Sequence, residues 1–438
     1  MNPDQFKNLY VKTNSVGNQM YDLMENLYPI CRSITGNGVR QTLNQIKNYI
    51  DLQIHEVPTD TQVFDWKIPK EWNIQDAYII DSKGNKLVDF QKSNLHVMSY
   101  STSVRKKISF DELKKHIHTI PSLPNTIPYL TSYYKEDWGF CMSHNDFLKL
   151  KDEYYEVSIN STLESGSLTY GEFFIPGAVS DEILISCYVC HPSMCNDNLS
   201  GVVLATMLAK ELNTIQTNYS FRFLFIPETI GAIAWLARNE KNLTKIKHGL
   251  VATCLGDPGV STYKRTRNGK AEIDRAAEFV LKKSHADYKI LDFFPTGSDE
   301  RQFCSPGIDL NVGSIMRTPY GRFAEYHTSD DNLQFVQPEF LVDTYSKYLK
   351  TIFILENNKK YLNLNPKCEP QLGKRGLYRQ IGGQKITQDS ERAMFWMLNF
   401  SDGSHDVLDI AEKSELEFEI LVESAKKLEE NNLLKMIA

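Results

Sequence analysis

The sequence predicts an α/β protein built on a mostly parallel sheet flanked by helices, with a small β-rich insertion and a C-terminal winged-helix unit. Three observations predict it. Short apolar runs at 183–189, 221–226 and 250–255 alternate with helix patterns at 202–212 and 232–237. Nearly continuous apolar strands separated by helices imply a parallel sheet covered on both faces. Between about 57 and 128 the texture changes to short β-like pieces such as Ala77-Tyr78-Ile79-Ile80, broken by turn signals like Ser82-Lys83-Gly84-Asn85. Beyond about 366, two short amphipathic helix patterns and a final apolar stretch, Leu433-Leu434-Lys435-Met436-Ile437, form a separate unit of winged-helix size.

Taken in order, residues 16–50 read as helical, because Met20, Leu23 and Leu27, then Leu43, Ile46 and Ile50, recur at helical spacing. The stretch Arg32-Ser33-Ile34-Thr35-Gly36-Asn37-Gly38 interrupts them as a loop. Residues 155–160 and 167–175 read as a hairpin joined across Glu164-Ser165-Gly166. The expected division is a discontinuous main domain at 1–60 and 128–365, an inserted module at 61–127 and a winged-helix-like domain at 366–438.

Bulk properties narrow the partners. A net charge of −6 over 438 residues gives no electrostatic reason to expect nucleic acid or an anionic membrane as the main partner. No apolar run is long enough to cross a bilayer, and the N-terminus lacks a basic start followed by an apolar core. A cytoplasmic location with reduced thiols is the expectation for the eight scattered cysteines. Cys187-Tyr188-Val189-Cys190-His191 matches the c-type haem attachment pattern, but its place at the end of a buried strand assigns both cysteines to core and near-site positions.

The chemistry collects after the apolar runs, where open parallel sheets bind ligands. The first run leads into Cys190-His191-Pro192 and on to Asp197-Asn198-Leu199-Ser200-Gly201, and the second ends at Pro227-Glu228-Thr229-Ile230-Gly231. The third ends at Gly256-Asp257-Pro258-Gly259, and Glu325-Tyr326-His327-Thr328-Ser329-Asp330 follows later. His191, Asp197, Asp257 and His327 make a nitrogen/oxygen ligand set suited to zinc. Glu228 is the nearby carboxylate that would take a proton from water.

This order of motifs resembles the zinc aminopeptidases related to bacterial leucyl aminopeptidases and glutaminyl cyclases. It is still more similar to a bacterial aminopeptidase-like family with an inserted β module and a C-terminal winged helix. Arg32–Arg40 and 320–332 carry the narrower likeness. The resemblance implies the zinc-exopeptidase, phosphorylase/hydrolase-like fold. It implies that His191 and Asp257 bind one metal, that Asp197 bridges, that His327 binds a second and that Glu228 is general base. Thr229 stands where two-zinc relatives carry a second acid, so one tight zinc site is expected rather than two. The expected activity is cleavage of an amide bond in a small peptide or amide-bearing small molecule. The alternative is a catalytically weak binding or regulatory scaffold. Arg317, Tyr320, Arg322 and Glu325, just ahead of His327, are the expected substrate-binding residues.

Residues 387–438 hold twelve Asp or Glu against five Lys or Arg, and Glu415, Glu417, Glu419 and Glu423 fall on the would-be recognition helix. Phosphate binding needs cations on that face. Protein contact, with homo-oligomerisation as one form of it, is therefore the expected use of the winged helix, and DNA reading is not.

Overall fold

The computed structural model describes residues 1–377 and 388–437. Eight strands form the main sheet. In chain order they are β1 (Gln53–Pro58), β2 (Ser167–Ile175), β3 (Glu182–Tyr188), β4 (Ser220–Ile226), β5 (Ile246–Val251), β6 (Ser261–Lys264), β7 (Tyr288–Leu291) and β8 (Val312–Met316). Their spatial order is β1-β2-β4-β3-β5-β8-β6-β7. The centre is parallel, β4 with β3, β3 with β5 and β5 with β8, whereas β1, β2 and β6 join antiparallel toward the edges.

The strand chemistry explains the layering. Every residue of β3 is buried. Alternation sends Ile183, Ile185 and Cys187 into one core and Leu184 and Tyr188 into the other. The first core is roofed by α1 (Thr13–Leu27), α3 (Ser200–Leu212), α5 (Glu272–Lys283) and α6 (Pro338–Asn357), with α2 (Asn37–Ile46) against β2. The opposite face is covered by α4 (Ile230–Asn239), whose Trp235 is wholly buried. Helix α3 buries nearly its whole circumference, as its Val-Val-Leu-Ala-Thr-Met-Leu-Ala composition requires.

The inserted module is a four-stranded antiparallel sheet of Lys86–Asp89, Glu71–Ile80, Tyr154–Glu164 and Val104–Ser109, in that spatial order. The hairpin expected of 155–160 and 167–175 does not form. Tyr154–Glu164 lies between two module strands, while β2 lies between β1 and β4 of the main sheet. Each segment has both of its edges paired within its own sheet, which leaves neither edge for the other segment. The module therefore draws in residues 154–164, well beyond 127.

The C-terminal unit has three strands, Lys360–Asn363, Asp402–Asp406 and Leu434–Ile437, and helices Gln388–Phe400, Val407–Ser414 and Phe418–Glu430. Its first strand begins before residue 366, because Lys360–Asn363 pairs with both of the others. The unit is docked on the main body. Arg275 of α5 bonds Asp406, Asp409 and Glu412, Lys283 pairs with Glu417, Lys7 pairs with Glu423, and Phe353 of α6 meets Phe418 edge-on. Among the described residues no helix is long and apolar enough to cross a membrane.

Candidate metal centre

Parallel pairing of β3 with β4, with Tyr188 opposite Ile226, brings the segments that follow them out side by side. His191 and Glu228 follow, and His191 Nε2 lies 3.8 Å from Glu228 Oε2. The loop after His191 carries Asp197 beneath it, and the loop before α6 carries His327 across from it. One ligand atom each of His191, Asp197 and His327 lies within 4.8 Å of the others. The two imidazole centroids are 5.3 Å apart.

The loops are held by their own polar chemistry. Asp331 accepts the backbone N–H groups of Asn196 (2.6 Å) and Asp197 (2.9 Å), tying the Asp197 loop to the His327 loop. Tyr188 donates its hydroxyl hydrogen to Asp197 Oδ1 and lies 2.7 Å from Thr253 Oγ1. His327 adopts a left-handed backbone (φ 55°), its carbonyl accepts the Tyr129 N–H at 2.8 Å, and Tyr326 stacks on its ring at 3.9 Å.

Two atoms of the cluster want a partner. Asp197 Oδ2 and His327 Nε2 are both buried and lack a hydrogen bond, although they sit 3.0 Å apart. A buried polar atom without a partner is costly, and two of them aimed at one spot beside a third donor fit a cation. Two imidazoles and a carboxylate are a suitable donor set for zinc with an open position. Burial pushes the His191 imidazole down to about 4, leaving the neutral ring that a metal ligand needs. Burial alone would raise the Asp197 carboxyl, but His191, His327 and the Tyr188 hydroxyl together hold it below its usual value. Desolvation, joined by the charges of Asp299 and Asp197, pushes Glu228 well up.

Asp257 stands outside this cluster. Its carboxylate accepts from Asn196 Nδ2 (3.0 Å), Gly259 N (2.8 Å) and the Thr318 backbone N–H and hydroxyl (3.1 and 2.5 Å), so it staples loops together. The four expected substrate-binding residues are also elsewhere. Arg317 pairs with Asp343 and covers Phe340, Tyr320 bonds Glu300 and Lys264, Arg322 lies over Phe294, and Glu325 accepts from Thr328 through its carbonyl. None of them lines the cavity that opens above His191 and Glu228.

That cavity, of about 450 Å3, has His191, Glu228 and His327 on its floor and Tyr129, Tyr133 and Tyr326 in its wall. Trp66 and Tyr134, both partly exposed and in edge-to-face contact, form its rim. Thr229 and Arg301 complete the floor. The Thr229 N–H donates to Asp299 Oδ1 (2.7 Å), and Arg301 Nη2 donates to Thr229 Oγ1 (2.7 Å). Burial pushes the Asp299 carboxyl up to about 7 against the hydrogen bond from Thr229. Sequence reasoning passed over Asp299 and Arg301. They sit in Thr296-Gly297-Ser298-Asp299-Glu300-Arg301, which gives no periodic signal.

The comparisons with known proteins agree with this architecture. A Clostridium acetobutylicum protein, provisionally named a polysaccharide biosynthesis protein with an aminopeptidase-like domain, is 58% identical over 431 residues, covering 98% of this chain and 99% of its own. A crystal structure of a provisionally named peptidase from Clostridium acetobutylicum superposes with a TM-score of 0.95 at 55% identity, over 99% of this chain and 100% of that one. The zinc aminopeptidase BSAP of Bacillus subtilis shares the fold at a TM-score of 0.57 and 11% identity, covering 77% of this chain and 94% of its own. A winged helix-turn-helix model matches residues 359–436. The model of the domain of unknown function DUF4910 matches residues 21–358, and with a relative so alike from end to end, the chain belongs to that aminopeptidase-like family.

Proposed function

We propose that this protein is a zinc-dependent, aminopeptidase-like hydrolase that cleaves an amide bond, with Glu228 as general base. The observation that carries the reading is the convergence of His191, Asp197 and His327 on one point, with Glu228 3.8 Å from His191 at the floor of an aromatic-walled cavity. Those three residues would hold a zinc ion, which when bound would supply Lewis-acid polarisation of the scissile carbonyl. Burial and the neighbouring acids raise the proton affinity of Glu228, so its carboxylate form is a stronger base than a free glutamate. That suits it to take a proton from the attacking water and pass it to the departing amine nitrogen. Tyr129, Tyr133 and Tyr326 bring apolar surface to the substrate.

One zinc per chain is the expected stoichiometry, because Thr229 offers a hydroxyl and Asp257 has its oxygens engaged elsewhere. Elemental analysis of untreated protein, followed by assay of anilides whose acyl groups carry an ammonium, no charge or a carboxylate and of N-acyl amino-sugar amides, tests the proposal. One equivalent of zinc and turnover that Glu228→Gln removes are expected. A fully loaded site with no turnover of any amide would overturn it. That result would favour the second reading, a catalytically weak scaffold, which the missing second acid at Thr229 supports.

A further inference from the structure

Arg301 is the cation of the cavity floor that the proposed reaction does not use. Its Nη2 bonds Thr229 Oγ1 at 2.7 Å, while its Nε is buried with no acceptor. Among the described residues it forms no other side-chain hydrogen bond and no ion pair. Asp299 and Glu228 feel its charge but take none of its hydrogen bonds. A guanidinium carries five donors in a planar fork. The buried Nε of Arg301 goes without an acceptor at a cost, and the N–H groups that Thr229 does not take are open to a ligand's acceptors. Thr229 directly follows Glu228, so the guanidinium stands beside the proposed base and faces the same space. Two-metal relatives were expected to carry an acid at this position, and here a fixed positive charge is anchored on the threonine in its place.

We propose that Arg301 is a specificity-determining residue that binds a carboxylate on the substrate, so that the protein acts on carboxylate-bearing amides and rejects those presenting a free ammonium. This rests on the amide-hydrolase reading for the reaction but on Arg301 alone for the preference. A carboxylate entering the cavity gains charge-assisted hydrogen bonds from the free edge of the guanidinium. An ammonium placed against the guanidinium meets a like charge and gains no hydrogen bond from it, with Glu228 the one acid among the described residues lining the cavity to offset that. Trp66 and Tyr134 at the rim offer flat faces to the remainder of the ligand.

Three 4-nitroanilides test it: the succinamate, its uncharged succinamide twin, and the β-alanine derivative carrying an ammonium. Binding to the zinc-loaded protein is measured by calorimetry, and turnover is followed by release of 4-nitroaniline. Wild type is expected to bind the succinamate about tenfold or more tighter than the succinamide, the worth of one charge-assisted hydrogen bond, and the ammonium compound weakest. Arg301→Met should bring the first two within about threefold of each other at unchanged melting temperature, with Arg301→Lys in between. Equal binding of all three by wild type, no binding of any, tightest binding of the ammonium compound, or a preference that survives Arg301→Met would each overturn the proposal. Preferential binding without turnover would remove the hydrolase reading and leave this one standing. Turnover without preference would do the reverse.

Discussion

Replacing Glu228 by Gln removes the one carboxylate that, among the described residues, lines the cavity, while keeping the shape of the side chain. The expected outcome is a fall of about 10²–10⁴ in kcat, with zinc content unchanged. His327→Ala and Asp197→Asn, in contrast, are expected to lose the metal itself, read by elemental analysis after dialysis. These residues were legible because each sits in a loop rich in Gly, Pro, Ser or Asn beyond an apolar run or before a long helix, the places where such sheets present side chains. Asp257 occupies the same kind of loop, yet faces Thr318 and Gly259. Composition does not distinguish a carboxylate turned toward backbone N–H groups from one turned into a cleft. Arg301 was illegible for the complementary reason, since nothing local separates an arginine that reaches into a cavity from one that points to solvent.

Among the elements, α2 is the hinge pin between the main sheet and the module. Arg40 on α2 bonds Glu56 of β1 and Glu71 of the first module strand with both ends of its guanidinium. The Arg40 hydrogen bonds, helped by the Ser167 N–H against the cost of burial, hold Glu71 down at about 2. A depressed carboxylate contributes stability that is full above the unfolded value near 4.3 and is lost as pH falls through the folded one. Glu71→Gln is therefore expected to cost about 1–2 kcal/mol at pH 7, and roughly half of that at pH 3. Urea denaturation at the two pH values measures it. Gly166, in the short link from the module sheet to β2, is crowded by Glu71, and a Cβ there would overlap that side chain. Gly166→Ala should destabilise by about 1–3 kcal/mol in the same assay. The helices and the central strands were readable from periodicity, because helix and strand place their apolar faces by simple local rules. The pairing of Tyr154–Glu164 was not, because two strands joined by a short Gly-containing link look the same whether they fold on each other or diverge into two sheets.

For the molecule as a whole, the acidic balance of the winged helix finds its counterpart within the chain. Arg275, Lys283 and Lys7 of the main body meet Asp406, Asp409, Glu412, Glu417 and Glu423. Arg275→Ala removes three of these bonds at once. It is expected to make residues 359–436 the first part released by limited proteolysis, whereas unchanged digestion would show that Phe418 on Phe353 suffices. The module reaches in the other direction, placing the Trp66 indole at the mouth of the cavity, 38% exposed, while Trp72 and Trp235 lie buried. An indole half in water emits at longer wavelength than its buried siblings, and its surroundings change when something lodges beneath it. The fold thus carries its own optical gauge of occupancy: titrating a ligand should shift the emission to the blue, and Trp66→Phe should silence the response while the cavity still fills.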